Sequence, residues 1–448
     1  MISEMDKKVI SIEKRKQLLL RLKRMLMKNE GALLQALQAD LGKPQMEGYT
    51  SEIAVLLNEI DFTLRQLHKW VKPEKKYEIK IGYFAKITKR PVPYGRVLII
   101  SPWNYPLQLA LLPVINAIAA GNICVIKPSE YAPVTNKLLK KLIHSHFTEK
   151  EICVVTGGAA VAQRLIARGF DLIIFTGSHE VGQKVYEQAA AKLTPTIMEL
   201  GGKNACIIDE TAFKEVHIRE IVWGKFFNAG QTCIAPDTLY VPESIYTKVV
   251  EMVVRTILNF YGEEPDECSD FATIGHDVHF KRVREFLSQG TIVHGGKVDA
   301  SRRSISPTVL TDIDESSEIM KKEIFGPLLP IIPYSSLESL LASDLLQKDA
   351  LTTYLFTKKM DQIQLLRQNL KGMVSVNKVI HHAGSSQVAF GGIGRSGFGA
   401  YHGEAGFSAC SYQQTDYRAF NYKYLRKKYP PYYDHAFVWV RRLRRWIF

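Results

Sequence analysis

Apolar residues recur every three to four positions over 4–41 and 51–70, as in Leu18, Leu19, Leu22, Met25 and Leu26, and this spacing predicts amphipathic helices. Asp40, Gly42 and Pro44 close the first block. Over 76–90 the pattern changes to alternation. Tyr77, Ile79 and Ile81, then Phe84 and Ile87, are separated by lysines, which predicts one or two exposed strands. From residue 96 a third rhythm begins. The runs "RVLIISP" (96–102), "NICVIKP" (122–128), "EICVVTG" (151–157), "DLIIFTG" (171–177) and "PTIMEL" (195–200) read as buried strands. Helical segments follow the first four, reaching Ala120, about Phe147, Arg168 and Ala191.

Such alternation is that of βαβ units around a parallel sheet. Ligands of these sheets bind at the carboxyl ends of the strands, where Asn104, Lys127, Gly157, Gly177 and Glu199 stand. A second α/β region runs from about 206 to 385. It contains "TLYV" (238–241) and "GMVSVN" (372–377) as strands, and 245–260 and 277–288 as helices. There is no internal repeat and no low-complexity linker.

A chain of 448 residues can bury two or three cores, and 46% hydrophobic with 23% charged residues is an ordinary globular composition. The net charge of +14 sits mostly at one end: residues 417–448 carry nine Lys or Arg against Asp434 alone. That placement argues against a nucleic-acid-binding body. No signal peptide is recognisable and no apolar run is long enough to span a bilayer, so a cytoplasmic protein is expected. The cysteines at 124, 153, 206, 233, 268 and 410 form no CxxC pair, against a zinc site or a disulfide framework. Five read as small buried hydrophobes. Cys233 differs, following polar Gln231 and Thr232 in the turn-rich stretch "FFNAGQTCIAPD" (226–237).

That stretch, together with "SPWNYP" (101–106), "FTGSHEVG" (175–182) and "MELGGKNA" (198–205), closely resembles the aldehyde dehydrogenase superfamily. "KPSE" (127–130), "KEIFGP" (322–327) and "VAFGGIGRSGFGAYHG" (388–403) agree in order and spacing. The short N-terminus and the "GAYHG" ending look like the class 3 branch, which includes fatty aldehyde dehydrogenases. The resemblance covers residues 1–416 and implies an α/β fold of three parts. These are a Rossmann-like NAD(P)-binding domain (1–76 and 92–205), an α/β catalytic domain (206–385), and a strand element for oligomerisation (77–91 and 386–416), with 417–448 a basic aromatic tail. The partners implied are an aldehyde, of apolar character on branch resemblance, and a second copy in a homodimer.

The chemistry fits the residues. Hydride leaves an aldehyde only after a tetrahedral adduct forms, and a thiolate supplies that adduct and later departs from a thioester. Cys233 is the expected nucleophile; the alternative is an inert, half-buried thiol. The oxyanion needs preorganised donors, which the resemblance assigns to the Asn104 amide and the Cys233 backbone N–H; Asn104 as a helix N-cap is the alternative. Glu199, before Gly201 and Gly202, resembles the general base for thioester hydrolysis, with burial raising its pKa; the alternative is a strand-end carboxylate paired with a lysine such as Lys203. For the cofactor, the resemblance makes Gly177, Ser178 and Gly182 the phosphate-facing turn, and it places Trp103, beside the oxyanion residue, with the cofactor residues. Lys127 and Glu130 resemble the adenosine-ribose residues, and Glu323 and Phe325 the nicotinamide-ribose and ring residues. A carboxylate at 130 would repel a 2′-phosphate and favours NAD, with NADP the alternative.

Gly392, Gly394 and Gly397 match Gly-x-Gly-x-x-Gly by letter but open no helix after a strand, so they are not read as a dinucleotide site. Their expected place is a flexible turn near the substrate mouth and the subunit interface. His381 and His382 lack further ligands, and no metal is expected. A coenzyme A-acylating relative is disfavoured by Glu199, and a non-catalytic scaffold by the presence of Cys233, Asn104 and Glu199 together. In "HAFVWVRRLRRWIF" (435–448), Trp439, Leu443, Trp446 and Ile447 share one helical face and four arginines the rest. This predicts an interfacial helix for an anionic membrane, or else a cover over the substrate mouth.

Overall fold

The short apolar runs assemble into a six-stranded sheet in the order Gly397–Phe398, Thr196–Leu200, Leu172–Gly177, Arg96–Ile100, Ile123–Lys127, Ile152–Val154. The structure is a computed structural model describing residues 10–80, 83–264, 268–421, 430–431 and 434–443. All pairings are parallel except that of the two-residue edge strand, which runs antiparallel to Thr196–Leu200 and sets Gly397 opposite Glu199. The third predicted strand is shorter than its apolar run, because the chain leaves the sheet after Val154 and turns at Gly157, where φ is +141°.

Helices cover both faces, which explains why these strands are apolar without alternation. Gln108–Ala120 is buried all round, from Leu109 to Ala120, and carries Pro113 inside it. Ile12–Lys28 starts at Ser11, whose Oγ accepts the Lys14 N–H at 3.3 Å, and buries Leu18, Leu19, Leu22, Met25 and Leu26 in the same core.

The second region forms a seven-stranded sheet: Thr291–His294, Thr308–Thr311, Leu328–Tyr334, Thr238–Pro242, Ala205–Ile208, Thr352–Phe356, Met373–Val376. It is parallel apart from the first strand. Ala205 follows Leu200 by a four-residue link, so the two sheets meet at "GGKN". A third sheet joins Glu74–Lys80, Tyr83–Pro93 and Ser411–Asn421, all antiparallel, with Tyr77, Ile79, Tyr412 and Tyr417 exposed. Ile81, one of the alternating apolar positions, lies outside the described residues.

The glycine-rich segment makes one 3-10 turn, Gly394–Ser396, before its short strand, and no helix follows directly. Helix Gly403–Ala409 packs against Ala54–Trp70 and Gln108–Ala120. In the tail, Asp434–Arg442 is helical; Phe437 and Val438 are exposed, and Trp439, Val440 and Leu443 are half-buried. Trp446, Ile447, Arg444 and Arg445 lie outside the described residues. Among the described residues no helix is long and apolar enough to cross a membrane.

Candidate active site

Helix Glu215–Phe226 ends in an unusual turn. Asn228, Ala229 and Gly230 have φ of +53°, +51° and +73°, three successive left-handed residues. Each non-glycine residue there costs about 1–2 kcal/mol, so the turn must be held by its surroundings. Asn228 N–H donates to Glu47 Oε2 at 2.9 Å, and Asn228 Nδ2 donates to Asn104 O at 3.0 Å and Gln231 O at 3.2 Å. Gln231 Nε2 returns to Asn228 O at 2.9 Å and reaches Thr273 O at 3.0 Å. A Cβ on Gly230 would strike the Gly326 carbonyl, so only glycine fits between the two motifs.

Cys233 emerges from this turn partly exposed, whereas Cys124, Cys153, Cys206 and Cys410 are buried. Its carbonyl accepts from Asn204 Nδ2 at 2.7 Å. Burial and the neighbouring Glu323 and Glu199 carboxyls push its thiol up, while the N–H groups of Cys233 and Ile234 favour the thiolate. Cys268, also partly exposed, has no such surroundings among the contacts of this site.

Asn104 is 2% exposed and does not cap a helix, since the following helix begins at Gln108. Its Nδ2 donates to Gln231 O at 3.0 Å, two residues before the cysteine. Next to it, the Tyr105 hydroxyl bonds Thr232 Oγ1 at 2.5 Å, a second tie to the same turn.

Glu199 is 2% exposed and both carboxyl oxygens are without a protein partner. Desolvation holds its pKa well above the usual carboxylate range. Lys203 is not its partner: that ammonium is bound to Asp237 and donates to Ile319 O at 2.7 Å. Glu323 lies against Gly201, where a Cβ would collide with its carboxylate. Burial, with Asp237 nearby, lifts Glu323 to about 8, against the opposing pull of Arg282 and the Gly202 N–H.

The remaining expected residues form two groups. Phe325, at φ +52°, packs its ring 5.8 Å from Trp103. Lys127 and Glu130 are paired at 3.0 Å, with the lysine buried and the carboxylate 40% exposed. Ser178 caps helix His179–Ala190, its Oγ accepting the Val181 N–H at 3.4 Å. Gly177 ends the strand before it. Gly182 faces inward: a Cβ there would come 2.5 Å from Leu200 Cδ2, so it permits close helix–strand packing.

Several residues that shape this site had no role in the sequence reading. Arg282 donates to Glu323 O at 2.9 Å and Ile324 O at 2.8 Å, and His279 Nε2 bonds Phe325 O at 2.7 Å. Burial lowers the imidazole pKa to about 3, so a neutral ring donates that bond and supports the left-handed Phe325. Asp237 Oδ2 accepts the Ile324 N–H at 2.8 Å. Asn204 and Asp237 lie inside the quoted motifs, and that was their only signal. His279 and Arg282, three apart on helix Asp277–Glu285, carried none. His381 bonds Glu220 at 3.2 Å, and His382 stacks on Phe390. Among the described residues, no three His, Cys, Asp or Glu are arranged to hold a metal.

A thiol, a lone buried carboxyl and an amide donor thus converge between the sheets, an arrangement suited to acyl transfer. The sequence profile of the Aldehyde dehydrogenase family matches residues 6–415. The chain is 55% identical over 407 residues to a 4,4′-diapolycopene-4,4′-dial dehydrogenase of Cytobacillus firmus, covering 91% of this chain and 90% of the relative. It is 36% identical over 427 residues to a dimeric NADP-preferring aldehyde dehydrogenase of Rattus norvegicus, covering 95% and 94%. A solved structure of Staphylococcus aureus AldH in a substrate-bound state superposes with a TM-score of 0.92 at 36% identity, covering 96% and 95%.

Proposed function

This chain belongs to the aldehyde dehydrogenase family and oxidises an aldehyde with NAD or NADP, and we propose that it does so through Cys233, Asn104 and Glu199. The observation that carries this is the buried Glu199 carboxyl, unpartnered and close enough to raise the thiol of the one cysteine set in a left-handed polar turn. Cys233 gives its thiol proton to water, its Sγ adds to the aldehyde carbon, and the oxygen, now negative, is met by the Asn104 amide and the Cys233 N–H. Asn204 holds the Cys233 carbonyl and so fixes the peptide that follows the nucleophile. After oxidation the acyl group is a thioester on Sγ. Glu199 takes a proton from water as its oxygen attacks the thioester carbon. The thiolate then leaves and the carboxylic acid departs.

The residues present fit a nicotinamide dinucleotide. The N-terminus of helix His179–Ala190, opened by Ser178, suits a pyrophosphate, and the exposed Glu130 carboxylate beside Lys127 suits ribose hydroxyls. Glu323 and Phe325 stand at the nicotinamide end. When bound there, the nicotinamide accepts the hydride. Glu130 supports NAD over NADP.

The substrate proposed is a long apolar aldehyde of the polyene or fatty class. Its support is the relative that acts on diapolycopene-dial and an aromatic and aliphatic cluster of Tyr105, Leu109, Phe227, Trp223 and Ile380 beside the cysteine turn. Measuring kcat/KM over aldehydes of graded length checks this; a flat or falling series beyond six carbons refutes it. The exposed three-stranded sheet supports a homodimer, testable by sedimentation equilibrium. The exposed Phe437 and Val438 beside Arg441 and Arg442 support peripheral contact with anionic membranes. Equal vesicle binding by the full chain and a chain ending at Tyr429 would refute that contact.

A further inference from the structure

One segment, residues 43–53, reaches both halves of the oxyanion site. Lys43 Nζ donates to Asn104 O at 3.1 Å and Glu52 Oε1 at 2.6 Å, and sits 4.1 Å from the Tyr105 ring centre. Glu52 Oε2 accepts the N–H groups of Leu107 at 2.8 Å and Gln108 at 3.1 Å. These contacts hold the Asn104 side. On the cysteine side, Glu47 Oε2 accepts the Asn228 N–H at 2.9 Å. The backbone makes a π-helical turn at Tyr49–Ile53, with the Ala54 N–H returning to Tyr49 O. Pairing five residues back widens the turn, and it brings positions 47 and 52 round toward one neighbourhood where an ordinary helix would splay them.

We propose that Glu47 is a positioning residue for the reaction: its carboxylate holds the left-handed turn at Asn228–Gly230 and thereby sets Cys233 against Asn104. This rests on the assignment of Cys233 as nucleophile. Three facts support it. The turn is strained at Asn228 and Ala229, so it relaxes when a support is lost. Asn228 is the junction, since its side chain ties Asn104 and Gln231 while its N–H is left for Glu47. A charged acceptor makes a bond about twice as strong as a neutral one.

The groups facing this carboxyl are Lys43, which favours its ionised form, Asp270, which opposes it, and the phenols of Tyr105 and Tyr261, with Glu52 beyond Tyr105. Burial raises Glu47 to about 7. Near pH 8 the carboxylate is therefore ionised and the turn is held, and as pH falls through 7 the support weakens.

The test uses full-length protein. Two readings are taken between pH 6 and 9: the pre-steady-state rate of acylation, and the rate at which iodoacetamide alkylates Cys233, located by peptide mass spectrometry. At pH 8.5, Glu47→Gln is expected to slow acylation three- to tenfold and Glu47→Ala more than tenfold, with KM for the cofactor changed less than twofold. The fall of the wild-type rate near pH 7 is expected to flatten in Glu47→Gln. Wild-type rates in Glu47→Gln at pH 8.5, or an unchanged fall near 7, overturn the proposal. So does failure of both variants to fold, which would make Glu47 a support of the fold and not of the site. Absence of any acyl adduct on Cys233 in the wild type would overturn the nucleophile assignment, a distinct result.

Discussion

Replacing Glu199 with glutamine should separate the two halves of the proposed reaction. The carboxyl is 2% exposed with neither oxygen paired, and Lys203, the nearest candidate for an ion pair in the sequence, is committed to Asp237. Glutamine has nearly the same shape, so packing is kept while the ionisable group is lost. General-base catalysis contributes about 10²–10⁴-fold, or about 3–5 kcal/mol on the barrier to thioester hydrolysis. In the proposed mechanism, attack by Cys233 does not require that base. Rapid mixing should therefore show a burst of reduced cofactor approaching one per site, then turnover slowed by at least about 100-fold, with an acyl adduct on intact mass. Stability supplies an independent sign. Desolvation raises the Glu199 pKa, so the folded protein holds its proton more tightly than the unfolded chain. That contribution is fully present below the usual carboxylate value and is lost as pH rises through the raised one. Relative to Glu199→Gln, the wild type should lose unfolding free energy steadily above pH 5, by about 1.4 kcal/mol per pH unit while the shift lasts. A variant with normal steady-state turnover and no adduct would refute the role. Parallel stability curves would refute the shifted carboxyl.

Two further outcomes are expected. Cys233→Ala should abolish turnover while cofactor binding, followed by nicotinamide fluorescence quenching, and the melting temperature stay near wild type; turnover near the wild-type rate would refute the mechanism. Lys43→Met should cost about 3–5 kcal/mol in urea denaturation, because it strands the fully buried Glu52 carboxylate without its ion pair; a loss under 1 kcal/mol would show that the two Leu107 and Gln108 N–H groups suffice.

Much of this architecture was legible along the chain. The five runs from Val97 to Leu200 are apolar without alternation because helices cover both faces, and that local pattern marks a buried parallel sheet wherever it occurs. Lysines between Tyr77 and Ile87 likewise announced an exposed sheet, since one face meets water. The motifs around Asn104, Glu199 and Cys233 were legible because each is a short, continuous stretch at a strand end or turn. Tertiary structure decided what those stretches touch. Whether Glu199 is paired depends on Lys203 turning instead to Asp237, 34 residues on, and spacing along the chain says nothing of that choice. Glu47 meets Asn228 across 181 positions, and Arg282 meets the Glu323 carbonyl across 41. Such bonds have no periodicity to read: they arise only when helices and sheets have packed and a strained turn is left with one N–H that water cannot reach.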